Sequence, residues 1–136
     1  HLSGRSSLCS FPDANAIYSL GEQGLYRLKM GFRAKYVYDA VEKIVGGKLL
    51  LDDIRYASST DEAIERLCRV KGIGVKVASC ALLFGFERYD AFPVDVWMKR
   101  ALEKYFPDGI DLVALGKNAG IAQQYLFYYY RDRSRR

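Results

Sequence analysis

The stretch Leu67-Cys68-Arg69-Val70-Lys71-Gly72-Ile73-Gly74-Val75-Lys76-Val77-Ala78 decides how this chain folds. Before it, Ala63, Ile64 and Leu67 recur at helical spacing, and Ser59 with Glu62 three residues on has the pattern of a capping box. After it, Val75 to Phe84 is almost entirely apolar, as in a buried helix. Two glycines flanking one apolar residue join these segments. Glycine reaches backbone conformations that other residues resist, so Gly72-Ile73-Gly74 can turn tightly while Ile73 plugs the gap between the helices. The N–H groups opening the second helix then face outward, and with the helix dipole they favour a phosphate. This is a helix–hairpin–helix, a device that grips nucleic-acid backbone without reading sequence. The same residues also suit a plain helix C-cap followed by a new N-cap, and the flanking Lys71 and Lys76 narrow that choice without closing it.

The helical spacing continues in both directions. Asp13 is a suitable N-cap for a helix carrying Ala16, Ile17 and Leu20, and Leu25 and Leu28 belong to a short second helix stopping near Gly31. From Arg33 to Val45, the residues Tyr36, Val37, Ala40, Val41 and Ile44 form one stripe, ended by Gly46-Gly47. Asp52-Asp53 open another short helix. Pro93 suits a place just before or in the first turn of a helix from Val94 to Tyr105, and Ile121 to Tyr130 is a final, aromatic-rich helix. No segment alternates like a strand between turn signals. The predicted fold is an all-α helical bundle.

The 136 residues suffice for one domain, and 50% hydrophobic with 27% charged residues is a globular composition. No apolar run approaches the roughly 18 residues that span a bilayer, and no leader resembles a signal peptide, so a soluble intracellular protein with no membrane partner is expected. A net charge of +5 fits an anionic partner such as nucleic acid. Cys9, Cys68 and Cys80 stand too far apart for a zinc or iron–sulfur pattern, and the one histidine is His1. Acid–base work therefore falls to Lys, Asp, Glu or Tyr. The chain begins without Met on a Ser-rich stretch, His1 to Ser7, which suggests that a preceding segment is absent.

Two residues stand out chemically. Lys76 lies at a helix start among Val75, Val77, Ala78, Cys80, Ala81 and Leu82. Apolar surroundings and the positive helix end both favour the neutral, nucleophilic amine, although a lysine that snorkels to solvent has the same pattern. Asp95 follows nineteen residues later in Phe92-Pro93-Val94-Asp95-Val96-Trp97-Met98, as the one acid of an apolar stretch. It can be a helix cap or a functional carboxylate.

The pairing of Gly72-Ile73-Gly74-Val75-Lys76-Val77-Ala78-Ser79 with Phe92-Pro93-Val94-Asp95-Val96-Trp97-Met98-Lys99-Arg100 resembles the helix–hairpin–helix–Gly/Pro–Asp DNA glycosylases, and among them the 8-oxoguanine DNA glycosylase/lyases. The resemblance runs from about Leu8 to Tyr130. It implies base-excision repair of duplex DNA with 8-oxoguanine opposite cytosine, by a bifunctional N-glycosylase and abasic-site lyase. Lys76 would attack the sugar C1′ of the flipped nucleotide, and Asp95 would stabilise the developing cation and help activate the amine. Ala122-Gln123-Gln124-Tyr125-Leu126-Phe127 resembles the segment that supplies the base pocket. There Gln123 would bond the Watson–Crick edge, Phe127 would stack on one face, and Cys80 would lie against the other. Core packing among the nearby tyrosines is the other reading of Phe127. Gly31-Phe32-Arg33-Ala34 resembles the segment that places an aromatic wedge (Phe32) in the duplex and an arginine (Arg33) on the orphaned cytosine. Gly72, Ile73 and Gly74 would contact DNA backbone. No cofactor is implied beyond a monovalent cation on the carbonyls of Cys68, Val70 and Ile73. Trp97 departs from a histidine that some members carry, which puts one phosphate contact in doubt.

The C-terminal end lacks the cysteines that hold an iron–sulfur cluster in the endonuclease III and adenine-glycosylase branch, and the alkylpurine branch generally lacks the lysine. Family enzymes are roughly twice this length. The chain is thus expected to be the C-terminal part of the glycosylase domain, without the N-terminal β domain and first helices, and either to need that half as a partner or to be only weakly active by itself. Such an enzyme works in the cytoplasm or nucleoid of a prokaryote, or in a eukaryotic nucleus. The alternatives are a non-catalytic helix–hairpin–helix DNA-binding module, a related glycosylase with another lesion preference, and a helical interaction domain with no DNA role.

Overall fold

The computed structural model describes residues 10–134. His1 to Ser7, Cys9 and the start of the resemblance at Leu8 lie outside the described residues. The chain divides into two compact units, residues 1–48 and 49–136. No described residue is in a strand, and no described helix is long and apolar enough to cross a membrane.

In the first unit, Asp13 caps α1 (Ala14–Arg27), its Oδ1 accepting the Ala16 N–H at 2.7 Å. Gly21, at φ +66°, breaks α1 into two helical pieces. The short second helix expected around Leu25 is therefore present, but it ends at Arg27 and leaves Leu28 as its cap. A 3₁₀ turn, Gly31–Arg33, leads straight into α2 (Ala34–Val45). The stripe read on α2 faces inward: Val41 is buried, and Tyr36, Val37, Ala40 and Ile44 are half-buried. Here α1 and α2 pack together, with Tyr18 and Tyr38 stacked at 5.5 Å.

The second unit begins with α3 (Leu51–Arg55), which places Asp52 and Asp53 in its first turn, where the helix dipole favours acids. Ser59 caps α4 (Thr60–Cys68) by accepting the Glu62 N–H at 3.1 Å. The return leg of this capping box lands one residue early. The Glu62 carboxylate accepts from the Ser58 hydroxyl (2.6 Å), the Ser58 N–H (2.9 Å) and Arg66 (2.8 Å). These bonds, the Ser58 hydroxyl first, hold its pKa down to about 2.

The hairpin follows. Val70 N–H donates to Leu67 O at 3.0 Å and Ile73 N–H to Val70 O at 3.1 Å, before α5 (Val75–Gly85) begins. Of the two glycines expected to adopt special backbone, only Gly72 does, at φ +81°. Gly74 is the extended N-cap of α5, and a Cβ there would meet nothing within 4 Å. The side of Gly74 where a Cβ would stand is therefore open. The expectation of a buried α5 also needs correction. Ala78, Ser79, Leu82 and Leu83 are buried, whereas Val75 and Phe84 are 64% and 66% exposed. A helix turning 100° per residue buries only the faces that have a partner, whatever its composition.

Residues 87–91 join the parts of this unit. Arg88 donates to Ala57 O (2.9 Å) and Thr60 Oγ1 (3.1 Å), its Nε lies 3.7 Å from Asp90, and the Thr60 hydroxyl donates to Asp90. The end of α5 is thereby tied to the start of α4. Asp95 then caps α6 (Val96–Tyr105), which starts two residues later than expected because Pro93 and Val94 precede it. The helix α7 (Leu112–Leu115), capped by Asp111, and a 3₁₀ turn at Gly116–Asn118 were not anticipated. They lead into α8 (Ala119–Arg133), longer at both ends than the expected final helix and packed on α6.

The register of α8 depends on Gly120. Its N–H donates to Tyr89 O at 2.7 Å, and a Cβ there would lie 2.2 Å from Ala91 O and 2.7 Å from Leu83 Cδ1. Gly120→Ala is expected to lower stability by about 1–3 kcal/mol, the usual range for overpacking, as a fall in the urea midpoint. An unchanged midpoint would mean that α8 does not pass so close to Ala91.

Candidate active site

Seven residues of the second unit line a cleft of about 180 Å³: Lys76, Phe84, Pro93, Asp95, Gln123, Gln124 and Phe127. Three segments supply them. Lys76 is the second residue of α5, placed there by the Gly74 cap, and it is exposed. Pro93 and Asp95 come from the non-helical run that enters α6. Gln123, Gln124 and Phe127 come from α8, whose depth is set by Gly120.

Asp95 caps α6 and also lines the cleft. Its Oδ1 accepts the Met98 N–H at 2.8 Å, which satisfies one of the helix's orphan donors and fixes the carboxylate. No hydrogen bond among the described residues reaches Oδ2. Gln123 and Phe127 stand one turn apart on α8, so an amide and an aromatic ring face the same space as the amine of Lys76 and the carboxylate of Asp95. Gln123 is only 3% exposed, and the Gln124 amide donates to its Oε1. A flat, polar ring could meet all four groups, with its edge on the amide, its face on the phenyl ring, and a neighbouring carbon open to the amine.

The structure therefore brings together Lys76, Asp95, Gln123 and Phe127. Cys80 stands on α5 between Lys76 and Phe84, half-buried, and is not a lining residue of this cleft. Gly72, Ile73 and Gly74 form the turn before α5, and the carbonyls of Cys68, Val70 and Ile73 belong to the end of α4 and that turn. Phe32 and Arg33 lie on the 3₁₀ turn of the first unit, both exposed, with the Arg33 Cζ 4.8 Å from the Phe32 ring centroid. Trp97, in the first turn of α6, carries Arg100 over its ring at 5.5 Å. Sequence reasoning missed Phe84, Pro93 and Gln124 as lining residues. Phe84 had a signal, since it stands at the eighth position after Lys76 on the same helical stripe. No group of three or more His, Cys, Asp or Glu able to hold a metal occurs among the described residues.

No protein-family model matches the chain. A probable N-glycosylase/DNA lyase of Methanothermobacter thermautotrophicus is 39% identical over 80 residues, which is 57% of this chain and 24% of that protein. A putative DNA-3-methyladenine glycosylase of Bacillus subtilis is 29% identical over 98 residues, 71% of this chain and 34% of its own length. In three dimensions the chain matches the Clostridium acetobutylicum 8-oxoguanine glycosylase/lyase, solved with double-stranded DNA containing cytosine opposite 8-oxoguanine. That match has a TM-score of 0.82 and 34% identity, and covers 98% of this chain and 49% of that one. The chain thus spans about half the length of the solved relative and a smaller share of the others.

Proposed function

We propose that this chain, which matches a solved 8-oxoguanine glycosylase/lyase over about half of that protein's length, excises 8-oxoguanine paired with cytosine from duplex DNA and then cuts the strand, as a step of base-excision repair. The observation that carries this reading is the shared cleft of Lys76, Asp95, Gln123 and Phe127. The damaged nucleotide leaves the stack, because its C1′ is out of reach inside the duplex. Gln123 bonds the Watson–Crick edge and Phe127 covers one face of the base. Lys76 Nζ forms a bond to C1′ as the glycosidic bond breaks, its electron pair leaving with the base. Asp95, held by the Met98 N–H through one oxygen, offers the other to the positive charge developing on the sugar. Opening of the sugar converts the adduct to a Schiff base. Loss of a C2′ proton then expels the 3′ phosphate by β-elimination.

The hairpin supplies grip rather than chemistry. A phosphate would sit on the first N–H groups of α5, beside Gly74, whose Cβ position is open. Val70 O already accepts from Ile73 N–H, and a carbonyl has a second lone pair, so the carbonyls of Cys68, Val70 and Ile73 suit a monovalent cation that would add positive charge beside that phosphate. Phe32 and Arg33 serve the duplex as wedge and as reader of the orphaned cytosine.

The test is borohydride trapping of this chain on a duplex with one 8-oxoguanine opposite cytosine. A covalent protein–DNA band on a denaturing gel is expected. If no band forms on that duplex or on one carrying an abasic site, these residues alone do not make a working enzyme, and a non-catalytic DNA-binding module is the reading that remains for this chain. The Bacillus relative favours a second reading, the same fold acting on an alkylated base. Competition between duplexes carrying 8-oxoguanine and 3-methyladenine separates the two.

A further inference from the structure

We infer that Gln124 positions the amide of Gln123, and so decides which base edge the cleft accepts. The inference rests on the proposed function and assigns a role to a residue that the base-excision chemistry itself does not use. Gln123 is 3% exposed, and its one hydrogen bond among the described residues is the donation from Gln124 Nε2 to its Oε1. Its own Nε2 makes none. Yet among the described residues no buried side-chain nitrogen or oxygen is left without a partner. Nε2 is therefore the atom of Gln123 that keeps contact with open space, and the space Gln123 lines is the cleft.

A carboxamide has nearly the same shape when turned over, so packing alone does not choose between presenting its nitrogen and its oxygen. A donor on one side does. With Gln124 giving a proton to Oε1, the amide is held with its N–H donors toward the cleft and one oxygen lone pair still free. The matching base edge has a carbonyl oxygen beside a ring N–H, the lactam edge of guanine and 8-oxoguanine. Adenine offers an amino donor and a ring acceptor in those two places, and so opposes donor to donor and acceptor to acceptor. A buried amide held in the wrong sense rejects a base strongly, because its polar groups are left unpaired.

The experiment compares this chain with Gln124→Met and Gln124→Glu, which keep the side-chain length but cannot donate to Gln123 Oε1. Borohydride trapping is measured on two duplexes, one with 8-oxoguanine opposite cytosine and one with an abasic site, where no base needs recognition. The ratio of the first rate to the second is expected to fall about 3- to 10-fold in both variants, the loss of one hydrogen bond. An unchanged ratio, or equal losses on both duplexes, overturns the inference and leaves Gln124 as a residue that merely packs α8. Trapping of the unaltered chain on neither duplex removes the proposed function, and this inference with it.

Discussion

Lys76→Gln is expected to abolish the borohydride-trapped adduct, a loss of roughly 10³-fold or more, because no other group can replace a missing covalent nucleophile at comparable rate. Glutamine preserves length and polarity at the second position of α5 but has no amine. Lys76 is exposed and its neighbours on the core side, Ala78 and Ser79, keep their packing, so thermal stability should move by no more than about 0.5 kcal/mol. The two readouts together separate chemistry from folding. DNA affinity at fixed salt should change little, since one charge among many is removed. An adduct of undiminished yield in the variant would put the nucleophile on another amine and remove the cleft from the mechanism.

Asp95→Asn carries the second largest effect, and its interpretation depends on separating the cap from the proposed catalytic role of this side chain. Asparagine caps a helix about as well as aspartate, so the bond from the Met98 N–H survives and stability holds. The negative charge is what disappears. Trapping on 8-oxoguanine duplex should fall by about 10²–10³-fold, the usual scale for losing a preorganised electrostatic partner of a developing charge. Asp95→Ala should show the same catalytic loss together with about 1 kcal/mol of destabilisation from the uncapped helix. If the asparagine variant trapped at the unaltered rate, Asp95 would be a cap and nothing more.

Much of this molecule was legible from local chemistry. The caps Asp13, Ser59 and Asp95, the stripe on α2 and the turn at Gly72 all involve partners within a few residues, which is the reach of helical periodicity and capping rules. The small displacements have local causes too. Glu62 bonds Ser58 in preference to Ser59, and α6 waits for Asp95 because Pro93 and Val94 lead into it without helical backbone. The stretch around α7 escaped notice because four residues are too few for a periodic signal.

The sequence by itself determined an all-α chain, a glycine-turned hairpin, and a lysine and an aspartate each at the start of a helix. Those features arise from interactions that close over one or two turns. Only the tertiary structure decided that Lys76, Asp95 and Gln123, separated by nineteen and a further twenty-eight residues, line one cleft. It alone decided that α5 leaves Val75 and Phe84 uncovered, and that Gly120 must be small because it lies against Ala91. Each is a contact between segments distant in sequence, or a choice among helix faces. No periodicity encodes either one, because they depend on which surfaces remain when the helices have packed.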